Sequence, residues 1–360
     1  MSSYWSQRAQ KAQPYVPGEQ PRERTFIKLN TNENPYPPSP RVLEAMEGVA
    51  ANLRLYPDPV SLELREAAAR RYGLESSQVF PGNGSDEVLG FAFGAFFDPQ
   101  KEAVLFPDIT YSFYPVYCQL WDIPYKTIAL EEDFTIQPGP YLERSGGIVI
   151  SNPNAPTGIL LPLDELKQIA QAALESQRVF IVDEAYMAFS QSPSALSLIR
   201  DFPNVLVVKT LSKEYSLAGL RSGLALGSRE LIEGLERIKD SFNSYPMDRL
   251  AQALSIAALE DIPYYEGITQ KIIATRERCA ARLKTLGFSV LPSGANFLFA
   301  SPPQGCPLRG GDFYAALRER GILVRHFEKN RINDFLRITI GTDDEMDEFL
   351  RAAEEVARSK

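Results

Sequence analysis

Four short runs of almost unbroken apolar residues constrain this chain most. They are Ala103-Val104-Leu105-Phe106, Gly147-Ile148-Val149-Ile150, Val179-Phe180-Ile181-Val182 and Val205-Leu206-Val207-Val208. Each is four residues of mainly β-branched and aromatic side chains without polar alternation. A strand with one wet face alternates; a strand buried on both faces does not, and parallel sheets are buried on both faces. Between the second and third runs, residues 163–175 carry helical periodicity and read as a crossover helix. The unit is βαβ, and the fold class is α/β with a mostly parallel central sheet.

The texture changes along the chain. Residues 1–40 hold seven prolines (Pro14, Pro17, Pro21, Pro35, Pro37, Pro38 and Pro40) and read as an extended arm, since proline blocks helix and ladder pairing. Residues 62–72 read as a helix. Residues 41–260 form a large domain on this reading. Residues 261–360 form a smaller α+β domain: a long helix over 272–286, strand-like runs at 288–291 with 296–299, 322–327 and 335–340, and a closing helix over 343–356 with acidic residues in its first turn.

Composition narrows the partners. The net charge is −8, which argues against nucleic acid and anionic membranes, though a local arginine pocket still admits a small anion. Cys118, Cys279 and Cys306 are far apart, and His326 is the one histidine. Neither a disulfide framework nor a metal site is expected. The N-terminus lacks a signal-like apolar core and no run is long enough to span a bilayer, so the expected location is the cytoplasm.

The polar signals gather at the ends of the apolar runs, where open parallel sheets bind ligands. After the fourth run comes Thr210-Leu211-Ser212-Lys213, with Arg221 eight residues beyond the lysine. A desolvated lysine can lose its proton and attack a carbonyl, while hydroxyls and an arginine suit phosphate. Together they suggest pyridoxal phosphate; taken alone, a Ser-Lys pair is better read as an ordinary strand exit with a solvated lysine. Asp183, at the end of the third run, can pair with a pyridinium nitrogen or cap a helix. Tyr186, three residues on, can donate to a ring oxygen. Gly82-Asn83-Gly84-Ser85-Asp86-Glu87 precedes a helical stretch at 88–97 and can present free N–H groups to a phosphate, or simply turn. Residues 151–158, Ser-Asn-Pro-Asn-Ala-Pro-Thr-Gly, make a rigid loop. Arg325 and Arg337 sit on strand-like runs and suit an anionic substrate or an internal ion pair. Residues 241–246 are a candidate lining loop.

Taken together, these motifs resemble the fold-type I, class I/II pyridoxal-phosphate aminotransferases, and among them the histidinol-phosphate aminotransferase family. The resemblance runs from Pro14-Tyr15-Val16-Pro17-Gly18, through Leu29-Asn30-Thr31-Asn32-Glu33-Asn34-Pro35 and Tyr56-Pro57-Asp58, to Leu336-Arg337-Ile338-Thr339-Ile340-Gly341. It implies that Lys213 holds the cofactor as a Schiff base and shuttles the proton. It implies that Asp183 pairs with the ring nitrogen, Tyr186 bonds the ring oxygen and Tyr111 stacks on the ring. The phosphate would rest on Gly84, Ser85, Asp86, Thr210, Ser212 and Arg221, with Tyr56 arriving from the partner of a homodimer. Arg325, Arg337, Tyr15 and Asn32 would serve the substrate. The implied reaction joins L-histidinol phosphate and 2-oxoglutarate. Rivals on the same scaffold are an aromatic amino acid aminotransferase and a threonine-phosphate decarboxylase; a non-catalytic regulator is a rival of another class. One departure stands out: where the family has asparagine before Pro-Thr-Gly, this chain has Ala155. Asn154 is the candidate replacement.

Overall fold

The computed structural model describes residues 4–20 and 25–358; Pro21 of the arm lies outside them. The arm is not extended throughout. Ser6 caps a short helix, Gln7–Lys11, by accepting from Ala9 N–H, and a two-residue strand, β1 (Ile27–Lys28), follows.

The apolar runs form the middle of a seven-stranded sheet. Its strands are β2 (Val79–Gly82), β3 (Val104–Pro107), β4 (Tyr125–Ile128), β5 (Gly147–Ser151), β6 (Phe180–Asp183), β7 (Val205–Thr210) and β8 (Gly223–Leu226), in the order β2-β8-β7-β6-β5-β3-β4. Strands β4, β3, β5, β6 and β7 are mutually parallel, and β8 runs antiparallel to both neighbours. Every residue of β2, β3, β5, β6 and β8 is buried, as the absence of alternation requires; edge strand β4 is largely exposed. The crossover helix is Leu163–Glu175, which buries Leu166, Ile169, Ala170 and Ala173 at i, i+3, i+4 and i+7.

Beyond this sheet runs a helix from Ile262 to Thr285. It starts ten residues before the expected 272, because Pro263 lies in the first turn, where its missing N–H costs no bond. A four-stranded antiparallel sheet follows, built from β9 (Ser289–Val290), β10 (Phe297–Ser301), β12 (Arg325–His326) and β13 (Leu336–Thr339). The run 322–327 was expected as one strand. It is split: β11 (Ile322–Leu323) pairs in parallel with β1 of the arm, while β12 pairs with β13. The helix Asp343–Arg358 closes the chain. Apolar clusters fill both faces of the seven-stranded sheet, one of them taking in Phe299 of β10, and a further cluster under the four-stranded sheet includes Leu29 of the arm. Cys118, Cys279 and Cys306 are buried free thiols. No helix among the described residues is long and apolar enough to cross a membrane.

Candidate active site

The carboxyl ends of β2, β3, β5, β6 and β7 open on one cavity of about 420 Å³, which β12, β13 and the arm wall off on the other side. Antiparallel β8 begins at this same edge, and so delivers Arg221, just before it, to the cavity. Lining residues include Tyr15, Asn32, Ser85, Asp86, Tyr111, Ala155, Asp183, Tyr186, Thr210, Ser212, Lys213, Arg221, Arg325 and Arg337. The cavity therefore unites sequence signals spread over three hundred residues.

Lys213 Nζ donates to Thr31 O at 3.0 Å. Burial and then the positive charge of Arg337 bring its amine down to about 8. At pH 7 roughly a tenth of it is thus uncharged, against far less for an ordinary lysine, and the uncharged form is the one that attacks a carbonyl. Asp183 is buried and accepts from Tyr114 Oη at 2.9 Å and from Ala185 N–H at 3.2 Å. Burial outweighs these bonds and pushes its carboxyl up to about 6. A buried carboxylate with this deficit is stabilised by a cation, and no cationic side chain hydrogen-bonds it among the described residues. Asp183 caps no helix.

The phosphate-like end of the cavity is built around Gly84–Phe96, a helix whose N-cap, Asn83, makes no side-chain cap. Its first N–H groups therefore face the cavity without a capping oxygen. Gly84 has φ +83°, and a Cβ there would come within 2.6 Å of Arg221 Nη2. A Cβ on Gly223 would come within 2.4 Å of Ser85 N. Two glycines thus let an arginine and a helix N-terminus converge. Arg221 Nη2 donates to Asp86 Oδ2 at 3.1 Å. Ser212 and Thr210 line the same end.

Opposite stand the two arginines. The register of β12 and β13 sets Arg325 directly across from Arg337. Like charges facing each other across strands repel, and neither arginine has a carboxylate partner among the ion pairs of the described residues. Arg337 Nη2 donates to Asn30 O at 2.9 Å, its Nε is buried without a partner, and its guanidinium lies over Phe297 and Phe327. Burial lowers its proton affinity. The internal ion pair open to these residues on sequence grounds is absent among the described residues; a guanidinium pair so placed can receive an anion.

Two expectations need correction. Asn154 does not line the cavity. Its Oδ1 accepts from Thr110 and its Nδ2 donates to Ile109 O and Thr157, so its amide braces the loop that carries cis Ala155–Pro156. Residues 241–246 also lie off the cavity: Tyr245 stacks on Tyr56 at 4.8 Å, and Tyr56 is 78% exposed. Tyr56 itself reaches no part of its own chain's cavity. Sequence reasoning also missed Tyr114 and Tyr117, which with Tyr111 recur every third residue. The helix Tyr114–Leu120 and its lead-in put the three hydroxyls on one side, where Tyr111 and Tyr117 bond Asp86 and Tyr114 bonds Asp183. That spacing was the available signal.

The sequence matches the profile of aminotransferase class I and II over residues 24–352. It is 52% identical over 361 residues to histidinol-phosphate aminotransferase 1 of Hydrogenovibrio crunogenus, covering 100% of this chain and 99% of that protein. It is 53% identical over 359 residues to histidinol-phosphate aminotransferase of Chromohalobacter salexigens, covering 99% and 100%. The fold matches the crystal structure of histidinol-phosphate aminotransferase from Sinorhizobium meliloti in complex with pyridoxal-5'-phosphate, with TM-score 0.87, 27% identity and coverage of 99% and 98%. The fold and these matches define a pyridoxal-phosphate-dependent aminotransferase of class I and II. Within that class, the chain belongs to the histidinol-phosphate aminotransferase family.

Proposed function

We propose that this enzyme transfers the amino group of L-histidinol phosphate to 2-oxoglutarate, giving imidazole-acetol phosphate and L-glutamate, in the cytoplasm and as a step of histidine biosynthesis. The observation that carries the substrate class is the unpaired Arg325–Arg337 couple across the cavity from Lys213. The names borne by relatives above 50% identity support the particular amine.

Bound pyridoxal phosphate supplies an aldehyde that joins amines and a ring that takes up the electron pair left at the amine-bearing carbon. The chain's own residues do the rest. Lys213 Nζ would take the proton from the amine-bearing carbon and deliver it to the carbon that bore the aldehyde, so that the amine ends the transfer neutral. Asp183 would keep the ring nitrogen protonated, since a buried carboxylate and a cation neutralise each other's burial cost. Tyr186 would give its O–H to the ring oxygen, and Tyr111 would stack on the ring; both line the cavity. Arg221, Ser212, Thr210 and the N–H groups of Ser85 and Asp86 hold the phosphate. Arg337 and Arg325 would hold the substrate's anion, with Tyr15, stacked on Phe113, lining the same cavity. Exposed Tyr56, stacked with Tyr245, reaches the partner's phosphate site in a homodimer. In this reading residues 1–40 form the arm, 41–260 the large domain and 261–360 the small domain.

A half-reaction panel tests the proposal: histidinol phosphate, phenylalanine, tyrosine, histidine and threonine phosphate, each mixed with the loaded enzyme and followed by the change in cofactor absorbance. Histidinol phosphate is expected to react fastest at low concentration. A faster aromatic amino acid, or carbon dioxide released from threonine phosphate without a keto acid, overturns it.

A further inference from the structure

The loop after β5 offers no side-chain donor at Ala155, and the surrounding wall shows what stands there. Ala155 packs with Ala295 and Phe297 against the ring of Tyr186. Phe297 meets that ring edge-on at 5.1 Å. The amide of Asn154 is committed elsewhere. The phenol of Tyr186 is thus the hydroxyl this wall presents.

Its oxygen accepts from Asn32 Nδ2 at 3.0 Å, and the orientation of that amide is fixed from behind. Thr339 Oγ1 accepts the backbone N–H of Asn32 at 2.9 Å, so its own proton is free to go to Asn32 Oδ1, at 3.1 Å. With Oδ1 taken, the NH₂ end faces Tyr186. A hydroxyl oxygen that accepts one bond keeps a single proton to give, and gives it more strongly because the accepted bond polarises it. Asn32 is 1% exposed and sits at φ +55°, a region asparagine tolerates better than most side chains. Asn296 Nδ2 bonds its carbonyl at 3.1 Å. The charged and titratable groups acting on Tyr186 are Arg337, which favours loss of its proton, and Asp183 and Tyr15, which oppose it.

We infer that Asn32 is a positioning residue acting through Tyr186: it aims and strengthens the Tyr186 O–H as donor to the cofactor's ring oxygen, in compensation for the donor missing at Ala155. The inference rests on the cofactor reading above and gives Asn32 a task other than the substrate contact that resemblance implied.

The test is the pH midpoint of the visible cofactor band in the holoenzyme. A donor on the ring oxygen weakens that oxygen's hold on the proton at the cofactor–lysine linkage, so losing the donor raises the midpoint. Asn32→Gly removes the amide while keeping a backbone at ease with positive φ. It is expected to raise the midpoint by about half a unit to one unit, the size of one hydrogen bond. In a Tyr186→Phe background the same substitution is expected to move it by less than about 0.2, because the path through the phenol is gone. Thr339→Val, which releases the amide's orientation, is expected to raise it by less than Asn32→Gly does, and it carries the test alone if Asn32→Gly does not fold. An unmoved midpoint, or an equal shift with and without the phenol, overturns the inference. So does a KM for the amine raised more than about tenfold with the midpoint unchanged, the mark of a direct substrate contact. A parent protein without any cofactor band overturns the cofactor reading and this inference together; a normal band with an unmoved midpoint overturns the inference alone.

Discussion

Replacing Lys213 with methionine in the cofactor-free protein is expected to stabilise it at neutral pH. The amine falls from 10.5 to about 8 on folding, chiefly through burial and then through Arg337. Below about pH 8 both folded and unfolded chains carry the proton, and the folded chain bears the full cost of a buried ammonium. Between about 8 and 10.5 the unfolded chain holds a proton that the folded one has released, so stability climbs with pH. Above 10.5 both are neutral and the cost has vanished. The depression corresponds to about 3 kcal/mol. Methionine keeps the length of the stem but forfeits the bond to Thr31 O, worth about 1 kcal/mol. The net expectation is a gain of about 2 kcal/mol at pH 7, turning to a slight loss by pH 11. Urea unfolding of both proteins at equal concentration from pH 7 to 11 reads the difference directly. A methionine variant less stable than its parent at pH 7, or a difference that ignores pH, refutes the reasoning.

Arg337→Met should raise the KM for the phosphorylated amine by about 10- to 100-fold, the loss of one charge-assisted contact, with the cofactor band intact; steady-state kinetics beside a spectrum check both halves. Asp183 is held up near 6, so its pairing form is lost as pH falls through that value. Cofactor affinity should then weaken by up to about tenfold per pH unit below 6, with a slope one proton shallower in Asp183→Asn, as equilibrium titration would show. Mixing inactive Lys213→Ala subunits with Tyr56→Ala subunits, then letting them exchange, should restore activity to about a quarter of the parent's, since half the dimers carry one intact site. Activity that never exceeds the sum of the separate variants removes Tyr56 from the partner's site.

The sheet was legible because burial on both faces writes itself as continuous apolarity. The runs at 147–150, 179–182 and 205–208 each fall within a residue or two of β5, β6 and β7. Lys213 and Asp183 were legible because they stand where such runs stop. What the chain's order hides is pairing across distance. Tyr114 meets Asp183 over 69 positions, and nothing local distinguishes its hydroxyl from that of any helical tyrosine. The run 322–327 looks like one strand since hydrophobicity does not record that its two halves have different neighbours. Asn154 looks like a replacement for the missing amide because adjacency in sequence says nothing about which way a side chain points. The loop turns it inward to Thr110 and leaves Ala155 on the wall.

The pairing of β1 with β11 has a consequence for how the protein is made. Ile27 lies beside Ile322, Asn30 O receives Arg337, and Asn32 is held by Thr339. Residues 27–32 thus wait for residues 322–339 before one wall of the cavity exists. Contacts so far apart in sequence form late, because the entropy of closing the intervening chain is lost before they can reward it. A nascent chain that has already folded its seven-stranded sheet still lacks the strand that holds Asn32 and Arg337. Full capture of cofactor and substrate therefore reports that synthesis has passed β13, and a protein cut short after β8 would keep a core yet never complete its site.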